Sequence, residues 1–482
     1  MSQQAKKYEV VIGLEVHLQL RTETKIFSSC PNRFGKEPNS QTDPVSLGLP
    51  GTLPVLNRKA LDYGIKIGLA LNCQVSPIIK FDRKNYYYPD LPKGYQISQY
   101  DHPIASNGYL MVPTDGSVKK IGITRAHLEE DAGKLIHEDG SDYSLVDYNR
   151  TGTPLMEIVS APDIRSAQEA YDYLQRLKLT LIYLDVSDCD MEKGSLRCDA
   201  NVSIRPAGSQ AFGTKTEIKN MNSFRAVKSG IEYEINRQRK ALESGERIIQ
   251  ETRLWDETKA MTLPMRSKEE AHDYRYFPDP DLVPFTVEKS EIEKVRETLP
   301  ELPNEKFDRF IKQYQLNDYD TGILIQDRHL ANFFEECAKL YPNPKKICNW
   351  IGADVLKELN ERKAAIKDTR LEPKNLTALI AKVEDGTLSN LTGKEVLKHI
   401  MDTGKDTEAI IKEKGLAQVS DDGALEALID ALIKENEKIA EEIRGGNEKA
   451  VGFLVGQGMK KSQGKANPKK IGEMIKRRLI HG

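Results

Sequence analysis

Val11-Ile-Gly-Leu-Glu-Val-His-Leu-Gln-Leu20 alternates apolar and polar positions along its length. As a β-strand, whose side chains point to opposite faces in turn, it sets Ile12, Leu14, Val16, Leu18 and Leu20 on one face and Gly13, Glu15, His17 and Gln19 on the other. The apolar face needs a core to bury it. The polar face carries a carboxylate and an imidazole two residues apart, near enough to share a metal ion or a proton. A half-buried strand with its polar side in water gives the same alternation. The reading therefore turns on whether other stretches supply matching groups.

Three do. Leu196 to Arg205 alternates in the same way, with Arg197, Asp199, Asn201, Ser203 and Arg205 on one face. A loop with Gly208 and Gly213 then leads to Thr214–Asn220, where Lys215, Glu217 and Lys219 share a face, so the two stretches read as a hairpin. Its polar face holds both signs of charge, as a phosphate site does, and as paired surface charges also do. In Leu155-Met-Glu-Ile-Val159 the one polar residue is Glu157, and a buried carboxylate needs a cation, an arginine or hydrogen-bond donors. An ion pair with Arg150 would serve as well as a metal. In His127-Leu-Glu-Glu-Asp131 three acids stand beside a histidine, as around a divalent ion or in a solvated acidic turn.

The 482 residues are enough for about three domains and a sizeable core. With 30% charged residues, 39% hydrophobic residues and no apolar run near the ~20 residues of a membrane span, the composition is that of a soluble globular protein. No signal-peptide pattern precedes the first strand, so the expected compartment is the cytosol. Six cysteines without a C-x-x-C pair fit reduced thiols better than a disulfide framework or a structural zinc site. The net charge of −2 excludes a uniformly basic nucleic-acid binder, but it conceals a segregated end. Residues 419–444 carry eight acids against three bases, and residues 445–482 nine bases against two acids.

Up to about residue 295 the chain is rich in strand signals, interrupted by two expected helices, one opened by Ser166-Ala-Gln-Glu169 and one by Ser223. Strands with inserted helices predict an α+β fold. After the Pro-punctuated segment 298–303 the texture is helical, with helices expected over roughly 304–315, 327–340, 345–359 and 373–384, and one continuous helix from Leu425 to Ile443. This gives three expected parts: a catalytic domain over 1–295, a helical linker over 296–405 and a helical tail over 406–482.

The chain has no Walker phosphate loop, no G-x-G-x-x-G after a strand, no H-E-x-x-H and no G-x-S-x-G. Use of ATP would therefore need a sheet-built cradle with carboxylate-held Mg²⁺, an ion that keeps several waters or phosphate oxygens. The segment 80–90, Lys-Phe-Asp-Arg-Lys-Asn-Tyr-Tyr-Tyr-Pro-Asp, interleaves bases with aromatics, as do single-stranded nucleic-acid sites. Asp273-Tyr-Arg-Tyr-Phe-Pro278 is a shorter case, and strand tyrosines that merely pack give the same composition.

Taken together, the motifs at 11–17, 80–86, 126–134, 194–203, 219–223 and 273–278, with Gly-Phe-Leu-Val-Gly-Gln at 452–457, resemble the B-subunit family of the bacterial aspartyl/glutamyl-tRNA amidotransferases, along essentially the whole chain. The resemblance implies a cradle domain similar in fold to glutamine synthetase, followed by a helical linker and a helical tail that binds tRNA. It implies ATP-dependent phosphorylation of the side-chain carboxylate of Glu or Asp mischarged on tRNA, then amidation with ammonia. A partner glutaminase (amidase) subunit supplies the ammonia, and a small third subunit completes a heterotrimer. Carried onto this chain, Glu15, His17, Glu130, Glu157 and Asp199 are the expected metal and acyl-phosphate residues, the first four on Mg²⁺. Glu129, Asn201, Lys219 and Asn220 are further candidates, and Lys84 and Arg275 are expected at the nucleotide. Lys460, Lys461, Lys476, Arg477 and Arg478 are expected on tRNA. Relatives with a four-cysteine zinc site align its ligands with Ser28, Cys30, Asp43 and Ser46, so no zinc is expected. A non-catalytic tRNA-binding scaffold, or less readily a metal-dependent nuclease, would also use acidic strands beside a basic tail.

Overall fold

The computed structural model describes residues 8–114, 117–137, 140–265, 273–416, 422–462 and 468–480. Met1–Lys7, which bear on the absence of a leader pattern, lie outside the described residues. The chain divides into two compact units, Met1–Asn304 and Glu305–Gly482.

In the first unit the strands are, in chain order, β1 Tyr8–Gln19, β2 Gln74–Val75, β3 Ile78–Ile79, β4 Asp82–Asn85, β5 Tyr95–Ser98, β6 Ala105–Thr114, β7 Ser117–Glu130, β8 Lys134–His137, β9 Ser144–Asp147, β10 Pro154–Ser160, β11 Leu196–Pro206, β12 Thr216–Lys219, β13 Glu251–Asp256, β14 Met261–Pro264, β15 Phe277–Pro278 and β16 Phe285–Thr286. Nine of them form one sheet in the order β14-β13-β12-β11-β1-β10-β7-β6-β2, with β1 near its middle. Neighbours are antiparallel except β12 and β13. The α+β expectation holds, and so does the hairpin, in which Ala200 pairs with Ile218.

Helices α1 (Arg58–Ala70), α2 (Ala167–Leu184) and α3 (Phe224–Glu243) cover the apolar face, and α4 (Lys289–Glu297) packs on α1. Ile12, Leu14, Val16 and Leu18 of β1 are fully buried there against a core that includes Leu174, Leu177, Leu181, Val227 and Ile231. At about 1.5–3 kcal/mol for each large apolar side chain, this is what fixes the face that β1 turns inward. Ser166 Oγ accepts from Glu169 N–H (3.1 Å) and Ser223 Oγ from Ala226 N–H (3.0 Å), so both expected helices start where read. The Glu169 carboxylate accepts from Arg165 N–H (2.8 Å) rather than from Ser166 N–H, as a reciprocal capping pair with Ser166 would have it. Two helices are too few for this unit, because α1 and α4 are also present. Gly64 and Gly68, with β-branched Ile65 and Ile67, make α1 read as strand and turn, and only packing on the sheet secures its helix.

The second unit is helical: α5 Pro303–Tyr314 leads into it, followed by α6 Asp318–Leu324, α7 Arg328–Leu340, α8 Pro344–Trp350, α9 Leu356–Arg362, α10 Pro373–Glu384, α11 Asn390–Thr403, α12 Thr407–Lys414, α13 Asp422–Glu435, α14 Glu437–Arg444, α15 Val451–Lys461 and α16 Pro468–Leu479. The helix read over 345–359 is α8 and α9 joined through a π-turn at Ile351–Val355. The helix expected to run unbroken from Leu425 to Ile443 is broken at Asn436, whose side-chain amide donates to Leu432 O (2.9 Å) and which leaves helical geometry (φ −126°, ψ 49°). Leu425, Ile429, Ile443, Leu454, Ile471 and Ile475 gather α13 to α16 around one apolar cluster. Among the described residues no helix is long and apolar enough to cross a membrane.

Candidate functional site

Register decides which groups meet on the polar face of the sheet. His17 of β1 lies between Glu157 of β10 and Arg197 of β11, and Glu157 is opposite His127 of β7, so four strands contribute one row. Along β1 the next row pairs Glu15 with Asp199, and the one after pairs Gly13 with Asn201, which faces Glu217 of β12.

In the first row His17 Nε2 stands 3.3 Å from Glu157 Oε2, and His127 Nε2 stands 3.5 Å from both Glu157 Oε2 and Glu129 Oε2. Arg125 approaches the other Glu157 oxygen at 3.9 Å, and Ser98 Oγ donates to Glu129 Oε2 (3.1 Å). Burial pushes both carboxyls up, but the hydrogen bond and charge of the neighbouring histidines outweigh it, and Glu157 is held down at about 2. Burial likewise works against a charged His17, and Glu157 and Glu129 overcome it, raising the imidazole above its ordinary value. One ligand atom each from His17, Glu129 and Glu157 lies within 4.8 Å of the others. Two close carboxylates and an imidazole at this spacing suit a small divalent cation, with open positions left for water or phosphate oxygens.

The second and third rows form an ion-paired network. Lys219 Nζ is 2.7 Å from Asp199 and 3.1 Å from Glu217, which hold it charged despite burial, and Asn201 Nδ2 donates to Glu15 Oε1 (2.9 Å). At the end of the face Asp131 accepts from Arg197 (2.8 Å) and Gln19 (2.8 Å); burial raises its carboxyl, and Arg197 and Arg150 bring it below the ordinary value.

Of the residues expected on the cation, His17 and Glu157 are brought together, and Glu15 lies one row away. Glu130 is at the opposite parity of β7: its carboxylate takes Lys93 and the backbone N–H of Ile97 (2.9 Å). Glu129, a further candidate, stands in the cluster instead, and His127, not among the expected ligands, stands with it. Alternation in β7 places Arg125, His127 and Glu129 together, but only the pairing with β10 shows that this face meets Glu157. Arg150 does not pair with Glu157; it donates to the carbonyls of Ala132 (2.8 Å) and Gly133 (2.5 Å) and approaches Asp131. Asn220 has positive φ (65°) and donates to Trp255 O (3.3 Å), shaping the chain after β12. Arg275 is exposed at φ 45°, its carbonyl accepting from Asn85 Nδ2 (2.7 Å). Lys84 lies over the ring of Tyr274 (4.8 Å). Lys25 is buried to 1% exposure, which lowers its amine below the ordinary value; its backbone N–H donates to Cys30 O (2.9 Å), and Asp43 and Ser46 bond to one another.

In the second unit Lys460, Lys461, Lys476, Arg477 and Arg478 are all exposed. Arg478 pairs with Asp430 (2.7 Å) and Lys461 with Glu435 (2.5 Å), both on α13, so part of the basic end is matched by the acidic stretch before it.

A mixed sheet covered by helices on its apolar face, with acids, imidazoles and ion-paired cations across the other, and a helical unit after it, defines a two-unit α+β protein. Residues 10–293 match the family described as the GatB/GatE catalytic domain, and residues 332–479 match the GatB domain. The chain is 56% identical over 477 residues to the B subunit of the aspartyl/glutamyl-tRNA(Asn/Gln) amidotransferase of Carboxydothermus hydrogenoformans, covering 98% of this chain and 99% of the relative. The protein of the same name from Thermodesulfovibrio yellowstonii is 56% identical over 97% of this chain and 98% of its own, and that of Moorella thermoacetica 54% over 98% and 100%. The chain therefore belongs to the GatB family.

Proposed function

We propose that the polar face of the sheet is where the side-chain carboxylate of Glu or Asp mischarged on tRNA is phosphorylated by ATP and then amidated, giving Gln-tRNA(Gln) or Asn-tRNA(Asn). The observation that carries this reading is the cluster of His17, Glu157, His127 and Glu129, one row from the network of Glu15, Asp199 and Lys219. The relatives' name, an aspartyl/glutamyl-tRNA(Asn/Gln) amidotransferase, supports the substrate class.

A carboxylate is a poor electrophile, and phosphorylation gives it a leaving group. His17, Glu129 and Glu157 would hold Mg²⁺, which when bound neutralises charge on phosphoryl oxygens. Lys219, fixed between Asp199 and Glu217, presents a cation toward the same charge, and Asn201 orients Glu15. Arg125 borders the cluster from the β7 side.

The reading includes a partner glutaminase that supplies ammonia, a small third protein completing the heterotrimer, a glutamine-synthetase-like cradle, the three-part division at 295 and 405, and a cytoplasmic setting. It includes no zinc: one thiol and the buried amine of Lys25 stand where a metal would need several thiolates.

In the complex reconstituted with its partners, His17→Ala and Glu157→Ala are expected to lower ATP-dependent amidation and phosphate release by on the order of a hundredfold or more, with tRNA affinity unchanged. Full amidation by either variant sinks the assignment of the cluster. Absence of phosphate release by the unaltered complex with mischarged tRNA would favour a tRNA-binding scaffold.

A further inference from the structure

Four tyrosines gather beside the cation cluster without taking part in it. Tyr86 meets Tyr274 edge to face (centroids 5.9 Å apart), Tyr274 meets Tyr276 (6.2 Å), and Tyr276 stacks on Tyr100 at 4.2 Å with the rings 15° from parallel. Two segments far apart in sequence build this wall, joined where Asn85 N–H donates to Tyr274 O (2.9 Å) and Asn85 Nδ2 to Arg275 O (2.7 Å). The Lys84 ammonium sits 4.8 Å from the Tyr274 ring centre and 5.7 Å from that of Tyr86.

Tyr276 covers one face of Tyr100, yet Tyr100 remains 61% exposed. The position is also specific. Ser98, two residues before Tyr100, donates to Glu129 Oε2 (3.1 Å), so the Tyr100 backbone lies within about 7 Å of the residue that touches a cluster carboxylate. Tyr276 is close enough to Glu129 and Glu157 that, after burial, their charges push its hydroxyl above the ordinary value. A solvent-facing ring backed by a second ring, in a wall whose other end carries Lys84 and next to the cluster of His17, Glu129 and Glu157, has the make-up of a surface that stacks an unpaired base.

We propose that Tyr100, backed by Tyr276, is a stacking platform for an adenine base whose phosphate or acyl group is directed to the His17–Glu157–Glu129 cluster. The inference rests on the function proposed above, under which both a nucleotide and the unpaired 3′ end of an aminoacylated RNA have to reach that cluster. An adenine from either source presents the same stacking chemistry.

The test uses the full-length chain, Tyr100→Ala and Tyr100→Phe. Each is titrated with Mg²⁺–ATP by calorimetry and, separately, with a fluorescent single-stranded RNA ending in CCA. Loss of one stacking partner is expected to weaken binding about tenfold, with Tyr100→Phe staying close to the unaltered chain. Loss confined to ATP makes the occupant the nucleotide, and loss confined to the RNA makes it the RNA end. Affinities of Tyr100→Ala within twofold of the unaltered chain for both probes overturn the platform, as does an unaltered chain that binds neither. If Tyr100→Ala weakens binding while the reconstituted complex performs no ATP-dependent amidation, the platform stands and the proposed function fails.

Discussion

Glu157 depends on its neighbours, with His17, His127 and Arg125 all acting on it within a strand whose other polar residue is the terminal Ser160. Held at about 2, it stabilises the folded state fully above the unfolded value near 4.3, and that contribution is lost as the pH falls from there. His17 works the other way: raised above its unfolded value near 6.5, it stabilises below that value and loses its contribution as the pH rises through the folded one. In metal-free buffer the pair therefore contributes most between about pH 4.3 and 6.5. Chemical denaturation across pH is expected to show the unaltered chain losing on the order of 1–3 kcal/mol more than Glu157→Gln between pH 5 and pH 3. Equal losses would mean that Glu157 is not held down in the folded state. At this scale Glu15, His17 and Asp199 were legible as polar positions of alternating strands, and Glu157 as the one polar residue of an apolar run, because both patterns are local. The choice between Glu129 and Glu130 was not, because neighbouring residues of one strand face opposite ways and only pairing with β10 says which way leads to Glu157.

Among the elements, α1 shows packing overriding propensity. A Cβ at Gly68 would lie 2.7 Å from Ala105 Cβ on β6 and one at Gly64 2.9 Å from Ile104 Cδ1, so the helix approaches the sheet through its glycines. Alanine gains about 1 kcal/mol over glycine in a helix, and overpacking costs about 1–3 kcal/mol, so Gly68→Ala is expected to destabilise by on the order of 1 kcal/mol. In α6 a Cβ at Gly322 meets nothing within 4 Å, so the same change there is expected to stabilise by about 0.5–1 kcal/mol. Thermal denaturation of the two variants checks the opposite signs; two shifts of the same sign would contradict the close approach of α1. The missed α1 and the break at Asn436 have one cause, which is that propensity and periodicity do not contain the neighbour that settles the element.

For the whole molecule, the near-zero net charge is the sum of segments of opposite sign, and in the second unit some of these meet. Lys461 and Arg478 are already paired with α13 acids, whereas Lys460 and Arg477 are exposed on α15 and α16. If the tail holds tRNA, Lys460→Ala with Arg477→Ala should weaken tRNA binding more, and flatten its salt dependence more, than Lys461→Ala with Arg478→Ala. Filter binding over a range of salt reads both quantities, and identical behaviour of the two pairs counts against this division of the bases. The sequence by itself determined the α+β class, the inward face of β1, the hairpin of β11 and β12, and the helical texture after residue 300. Each rests on a periodicity or a turn signal within a few residues of itself. Only the tertiary structure decided that His17, Glu129 and Glu157 come together, that Glu130 turns to Lys93, and that Tyr86, Tyr100, Tyr274 and Tyr276 form one wall. These depend on strand order and register, which are set by burying the whole apolar face at once.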